Sequence, residues 1–180
     1  QKTGVTHRSE LTMDWSHGHN NAIVNGIGRI GHMKGGTKAL WKDEEMADHF
    51  TGQAVRFIRE SKEQPFFLYL AFNAPHFPIQ PPAEHLKIVK EREVGIDDAR
   101  AQNAALVEHM DMSIGKVMKV LAENGMSENT IIVFLSDNGG SIPHAQRNGL
   151  LRGGKQDMFE GGIKIPAFVV WKDDGQMYSR

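Results

Sequence analysis

Cysteine is absent from the 180 residues. Its absence excludes disulfides and zinc–thiolate sites and removes one potential nucleophile. Long apolar runs are missing too: none approaches the length that crosses a bilayer, and Gln1 to Glu10 have neither the hydrophobic stretch nor the cleavage pattern of a leader. The chain opens on Gln rather than Met, so that absence says nothing of compartment. Charge of one sign is also lacking. With 21 Lys+Arg against 22 Asp+Glu the formal net charge is −1, and the nine histidines add positive charge only in acid. The basic footprint of a nucleic-acid binder is therefore absent, and neither nucleic acid nor membrane is the expected partner. No internal repeat or low-complexity tract interrupts the sequence.

What is present is the balance of a globular domain, 39% hydrophobic and 24% charged, in a chain long enough to bury a core. Residues 1–42 hold seven glycines and four histidines with little periodicity and read as irregular surface structure. From Asp43 the pattern changes. Met46, Phe50, Phe57 and Ile58 share a helical face, Asp43 can cap the start, and Glu44 and Glu45 suit the positive end of the dipole; this helix should end near Glu60.

Pro65 then introduces Phe66 to Phe72, an apolar run of strand length that reads as a strand covered on both faces. Four prolines between Pro75 and Pro82 follow, predicting a stiff loop that carries His76. A long helix is predicted from Asp97-Asp98 to Gly125, because Val107, Met110, Ile114, Val117, Met118 and Leu121 repeat at helical spacing and Gly125 suits a C-cap. Thr130 to Leu135 reads as a second buried strand and Pro166 to Trp171 as a third. Strand, helix, strand is the βαβ unit, which predicts an α/β fold with a mostly parallel sheet flanked by helices. In such a sheet the loops after Phe72 and after Leu135 open toward one crevice, where ligands bind.

The residues able to do chemistry fall on that edge. Asp137-Asn138-Gly139-Gly140 is a turn signature. It can equally be a pair of oxygen ligands, a carboxylate and an amide, converging on a hard cation such as Ca²⁺ or Mg²⁺, although two ligands alone would bind weakly. His76 is either a solvated loop histidine or a group placed to protonate a leaving oxygen near neutral pH. Arg152-Gly153-Gly154-Lys155 is either a solvated basic loop or an anion-binding concavity built on exposed glycine N–H groups. Gly149, Gly154 and Lys155 also imitate a P-loop, but Gln156 replaces the hydroxyl that reaches Mg²⁺, no strand precedes, and Gly161-Gly162 cuts off the helix that should follow. His17-Gly18-His19 could offer two imidazoles to a metal but lacks a third ligand. Asp111 is read as flanking the long helix's buried stripe and making a structural hydrogen bond.

The order of these pieces resembles the sulfatase family, with its alkaline-phosphatase-like α/β fold. The resemblance is carried by Pro65-Phe66-Phe67-Leu68-Tyr69 leading to Ala74-Pro75-His76, then Val107-Glu108-His109-Met110-Asp111 with Ile114-Gly115, then Ser136-Asp137-Asn138-Gly139-Gly140. It closes with Leu151-Arg152-Gly153-Gly154-Lys155 and Glu160-Gly161-Gly162-Ile163 before Pro166. Each motif alone is weak; five in this order are specific.

The resemblance implies that Asp137 and Asn138 are ligands to a divalent cation, usually calcium, that His76 lies near the sulfate and its leaving oxygen, and that Lys155 contacts the sulfate. It also implies a formylglycine nucleophile, made from Cys or Ser beside Pro and Arg. That motif, the paired acidic ligands near the family's N-terminus, and a Lys and a His between them and this region are all absent here. Smaller departures are Gln156 where glycine is usual and Lys164 where arginine is usual. The expectation is therefore a central piece of a catalytic domain at 43–180, with 1–42 an irregular part of the same domain and the nucleophile region and C-terminal subdomain lying outside. The intact parent is expected to be an exported sulfuric ester hydrolase acting on a sulfated small molecule or carbohydrate, and this chain to be inactive alone. The alternatives are a phosphatase or phosphonate-ester hydrolase on the same fold, or a non-catalytic binding module.

Overall fold

The computed structural model describes residues 44–76 and 79–171 in full, together with the backbone at 4–5, 32–33, 43, 172–173 and 176–179. Strands β1 (Gly4–Val5) and β2 (His32–Met33) form a short antiparallel pair. The remaining residues of the expected irregular segment, including His17 and His19, lie outside the described residues.

A 3-10 turn at Asp43–Glu45 leads into helix α1 (Met46–Glu60). Asp43, expected at the helix start, opens that turn two residues before the N-cap position, which Glu45 holds without a side-chain capping bond. The buried stripe runs through Ala47, Thr51, Ala54 and Ile58, spaced at one helical face, with Met46 beside it. Phe57, expected inside, lies at the edge, where its ring meets Phe66 edge-on at 5.6 Å. Small residues occupy the stripe because a second helix lies directly on it.

That helix is α3 (Asp98–Glu123), reached after α2 (Ala83–Arg92). The sequence reading stopped at the prolines and did not anticipate α2, which follows directly from Pro82. The predicted ends of α3 are both present. Asp97 accepts a hydrogen bond from the Arg100 N–H, and Gly125 takes φ +68°. There the Met126 N–H reaches Leu121 and the Gly125 N–H reaches Ala122, the paired bonds of a Schellman stop. Along its length α3 joins three apolar clusters: Val89, Ala101 and Ala105 near its start; Ala74, Leu106 and Met110 in the middle; Ile58, Val120 and Leu121 near its end. Val107 and Met118, placed in the core by spacing, are 40% and 44% exposed, because the contact face is centred on Ala101, Ala105 and Ser113, all at 0%. Small side chains let α1 and α2 come close.

Strand β3 (Ile132–Leu135) pairs antiparallel with β4 (Ala167–Asp173), which pairs antiparallel with β5 (Gln176–Ser179), after a single helical turn α4 (Glu160–Ile163). The strand expected at 66–72 is extended but joins no ladder among the described residues. It runs in the same sense as β3, since Phe66 and Leu68 share a cluster with Ile132 and Phe72 shares another with Phe134. Neither segment is covered on both faces. Phe67 and Tyr69 are 87% and 81% exposed, and Val133 and Leu135 also face outward. Only one side has helices against it among the described residues, so the apolar run alternates in burial like a half-covered strand.

Candidate active site

The loop after β3 begins at Ser136, whose N–H donates to Pro166 and whose hydroxyl donates to the Asn138 carbonyl. Asp137 is exposed and Asn138 half-buried. Gly139 then turns inward and donates to the Gly162 carbonyl at 2.9 Å. A Cβ on Gly139 would fall 1.8 Å from the Gly161 carbonyl oxygen, one on Gly161 2.1 Å from that of Gly153, and one on Gly154 2.6 Å from that of Gly140. The glycine pairs at 139–140, 153–154 and 161–162 are thus packed backbone on backbone, which any side chain would prevent.

This corrects the anion-concavity reading of Gly153-Gly154. The Gly154 N–H donates to the Asp157 carboxylate at 2.8 Å, and the Arg152 guanidinium sits 3.6 Å over the Phe159 ring. Both groups are already engaged. The rejection of a P-loop agrees with the structure: Lys155-Gln156 is a turn, with Gln156 at φ +77°, and no helix starts there.

Lys155 is half-buried, and its N–H donates to the Gly140 carbonyl at 3.0 Å, so the lysine loop is bonded to the loop of Asp137 and Asn138. His76, half-buried, closes a turn by donating its N–H to Asn73 at 2.8 Å, while Ala74 anchors that turn in the middle cluster. The turn is tied in by Gln146: its Nε2 donates to the Pro75 carbonyl at 2.8 Å and its Oε1 accepts from the Ser141 N–H at 2.6 Å. Asn148 does the same on the other side. Its Oδ1 accepts from the Gly140 N–H at 2.7 Å, and its Nδ2 donates to the carbonyls of Gly140 at 3.0 Å and Gly153 at 3.1 Å. Helix α3 supports this loop in turn, through Arg100 to the Ala145 carbonyl and Asn103 to the His144 carbonyl. The backbones that carry His76, Asp137-Asn138 and Lys155 are therefore joined at one rim. Gln146 and Asn148 went unnoticed in the sequence, where isolated carboxamides in a polar run carry no spacing signal.

Among the described residues no hydrogen bond or ion pair engages the side chains of Asp137, Asn138 or Lys155. A carboxylate and an amide oxygen suit a hard divalent cation. No group of three or more His, Asp or Glu able to hold a metal occurs among the described residues, so the pair fits such an ion only as part of a larger ligand set.

A second polar cluster, at the junction of the three long helices, also escaped the sequence reading. Buried His109 on α3 bonds Asp48 of α1 through Nε2 at 2.8 Å, Lys116 bonds the same carboxylate at 2.7 Å, and the His85 ring of α2 lies 4.8 Å from that of His109. The polar residues buried on this helix are Asn103, His109 and Ser113, while Asp111 is exposed.

A family model described as Sulfatase matches residues 3–178. The chain belongs to the sulfatase family. It is 36% identical over 181 residues to an N-acetylgalactosamine-6-O-sulfatase of Bacteroides thetaiotaomicron, covering 94% of this chain and 34% of that protein. To the N-acetylgalactosamine-6-sulfatase of Mus musculus it is 34% identical over 128 residues, 68% of this chain and 23% of that protein. Among solved structures it resembles Ps i-CgsB in complex with k-i-k-neocarrahexaose, with a TM-score of 0.66 at 35% identity over 69% of this chain and 28% of that one. The sulfatase chain thus spans about a third or less of the length of these relatives. Its helices and small sheet are part of the alkaline-phosphatase-like α/β fold expected from the motifs.

Proposed function

We propose that the full-length sulfatase hydrolyses sulfate esters of a carbohydrate, and that this chain supplies the metal, lysine and histidine side of the active site. The observation that carries the reading is the set of hydrogen bonds that ties the loops of Asp137-Asn138, Lys155 and His76 together while leaving the first three side chains uncommitted among the described residues. The names of the relatives support a sulfated sugar, two of them specifying the 6-sulfate of N-acetylgalactosamine. As in those relatives' family, the protein is read as exported.

Cleavage of a sulfate ester develops negative charge on the leaving oxygen and redistributes it over the sulfate oxygens. Asp137 and Asn138 would hold the cation, calcium by resemblance, through their side-chain oxygens. Such an ion polarises the sulfate when bound. Lys155 presents an ammonium to the sulfate oxygens, and His76 delivers a proton to the leaving oxygen. Each contribution grows as charge develops, so each acts chiefly on turnover and less on substrate binding. The formylglycine nucleophile and the remaining acidic ligands belong to sequence outside this chain.

The test is a panel assay of the full-length protein with 4-nitrophenyl sulfate, N-acetylgalactosamine 6-sulfate and 4-nitrophenyl phosphate. Metal-dependent release of sulfate from the first two is expected, with no turnover by the 180-residue chain alone. Preferential hydrolysis of the phosphate would favour the phosphatase alternative and overturn the proposal, and binding without any turnover would make it a binding module.

A further inference from the structure

We infer that Gln146 and Asn148 are positioning residues for sulfate-ester cleavage, two carboxamides that fix the relative placement of the three loops carrying His76, Asp137-Asn138 and Lys155; this rests on the sulfatase reading of that site. Each side chain uses both ends. Gln146 takes the Ser141 N–H on its oxygen and gives its nitrogen to the Pro75 carbonyl, the peptide oxygen immediately before His76. Asn148 takes the Gly140 N–H and gives its nitrogen to the carbonyls of Gly140 and Gly153. The residues bonded are the near neighbours of the candidate groups: Pro75 precedes His76, Gly140 follows Asp137-Asn138 by two, and Gly153 precedes Lys155 by two.

These connections cross from one loop to another. The Pro75 turn and the Ser141 turn share no described ladder, so Gln146 spans a gap that regular structure leaves open. The glycine pairs at 139–140 and 153–154 have no side chains with which to hold themselves, and Asn148 supplies what they lack. Anchoring of the same loop on α3 through Arg100 and Asn103 makes the two carboxamides rigid with respect to the core. A reacting centre shared by three loops needs such fixation, because a displacement of about 1 Å can cost on the order of a hundredfold in rate.

The test uses the full-length sulfatase with 4-nitrophenyl sulfate at a temperature well below each variant's own unfolding midpoint. Asn148→Asp keeps the acceptor for Gly140 N–H but turns an oxygen toward two carbonyl oxygens; Gln146→Met keeps the length and removes both bonds. Each is expected to lower kcat about 10–100-fold, the range seen when groups that orient active-site ligands are removed. KM should change less than about threefold, and saturating calcium should not restore kcat. Lys155→Ala and Asp137→Ala serve as references. Loss of turnover in both references with wild-type kcat in Asn148→Asp and Gln146→Met would overturn the positioning role alone. Wild-type turnover in the references would remove the sulfatase reading of the site, and the positioning role with it. If Asn148→Asp fails to fold, Gln146→Met decides by the same kcat and KM criterion.

Discussion

Asp48 is where single side chains have the clearest measurable effect outside the candidate site. Burial alone pushes its carboxyl up, but the hydrogen bonds and charges of Lys116 and His109 outweigh that, and the group is held below its ordinary value of 3.8. A carboxyl depressed in the folded state contributes stability that is present above its ordinary value and lost as pH falls through the lowered one. The unfolding free-energy difference between wild type and Asp48→Asn should therefore be constant on the neutral side and shrink below about pH 4. Asp48→Ala also leaves the buried His109 nitrogen without its acceptor, and should cost roughly 1–3 kcal/mol in denaturant unfolding at pH 7. Gln156 offers the opposite sign. It occupies a left-handed φ of +77° at a position where the family resemblance expects glycine, so Gln156→Gly should raise stability by up to about 1 kcal/mol in the same experiment. At this scale His76, Asp137, Asn138 and Lys155 stand out in the sequence as candidates because each follows a strand-like run or sits among glycines. His109 and Asp48 were not, since they are 61 residues apart and only tertiary packing brings them together.

Among the elements, α3 matters most, because it contributes to all three apolar clusters of the described residues and, through Arg100 and Asn103, supports the loop behind the candidate site. Its limits were readable from Asp97 and Gly125, residues whose capping chemistry is local. Its contact face was less so, because the pattern drew attention to large apolar residues while close helix packing is made by alanine and serine. Replacing Asp97 by Ala should cost about 1 kcal/mol in thermal or denaturant unfolding by leaving the Arg100 N–H unpaired. The glycine interlock gives a larger effect. In Gly161→Ala a methyl would stand 2.1 Å from the Gly153 carbonyl and 2.6 Å from that of Arg152, so the turn at 161–162 and the segment before Lys155 must separate, which should lower the denaturant midpoint more than Asp97→Ala does. Helix α2 was missed because the prolines before it dominate the local signal, and the segment at 66–72 joins no ladder among the described residues because strand pairing depends on partners that a local pattern does not contain.

For the whole molecule, the exposed row of Phe67, Tyr69, Val133 and Leu135 and the proposed ligand pair at Asp137-Asn138 have the same form: one side of a sheet and one part of a proposed site. Both agree with a chain that spans about a third of the Bacteroides thetaiotaomicron relative. The α/β class and the order of the motifs were legible because the functional loops follow apolar runs, whereas the antiparallel pairing of β3 with β4 was not, because a strand's apolar pattern does not state its direction. The claim on which the functional account stands is that Asp137 binds the cation used in sulfate-ester cleavage. Calcium titration calorimetry of the full-length protein, read beside sulfate release, tests it most directly: Asp137→Ala should lose calcium affinity and turnover together, and a variant that binds calcium and releases sulfate like the wild type would contradict it.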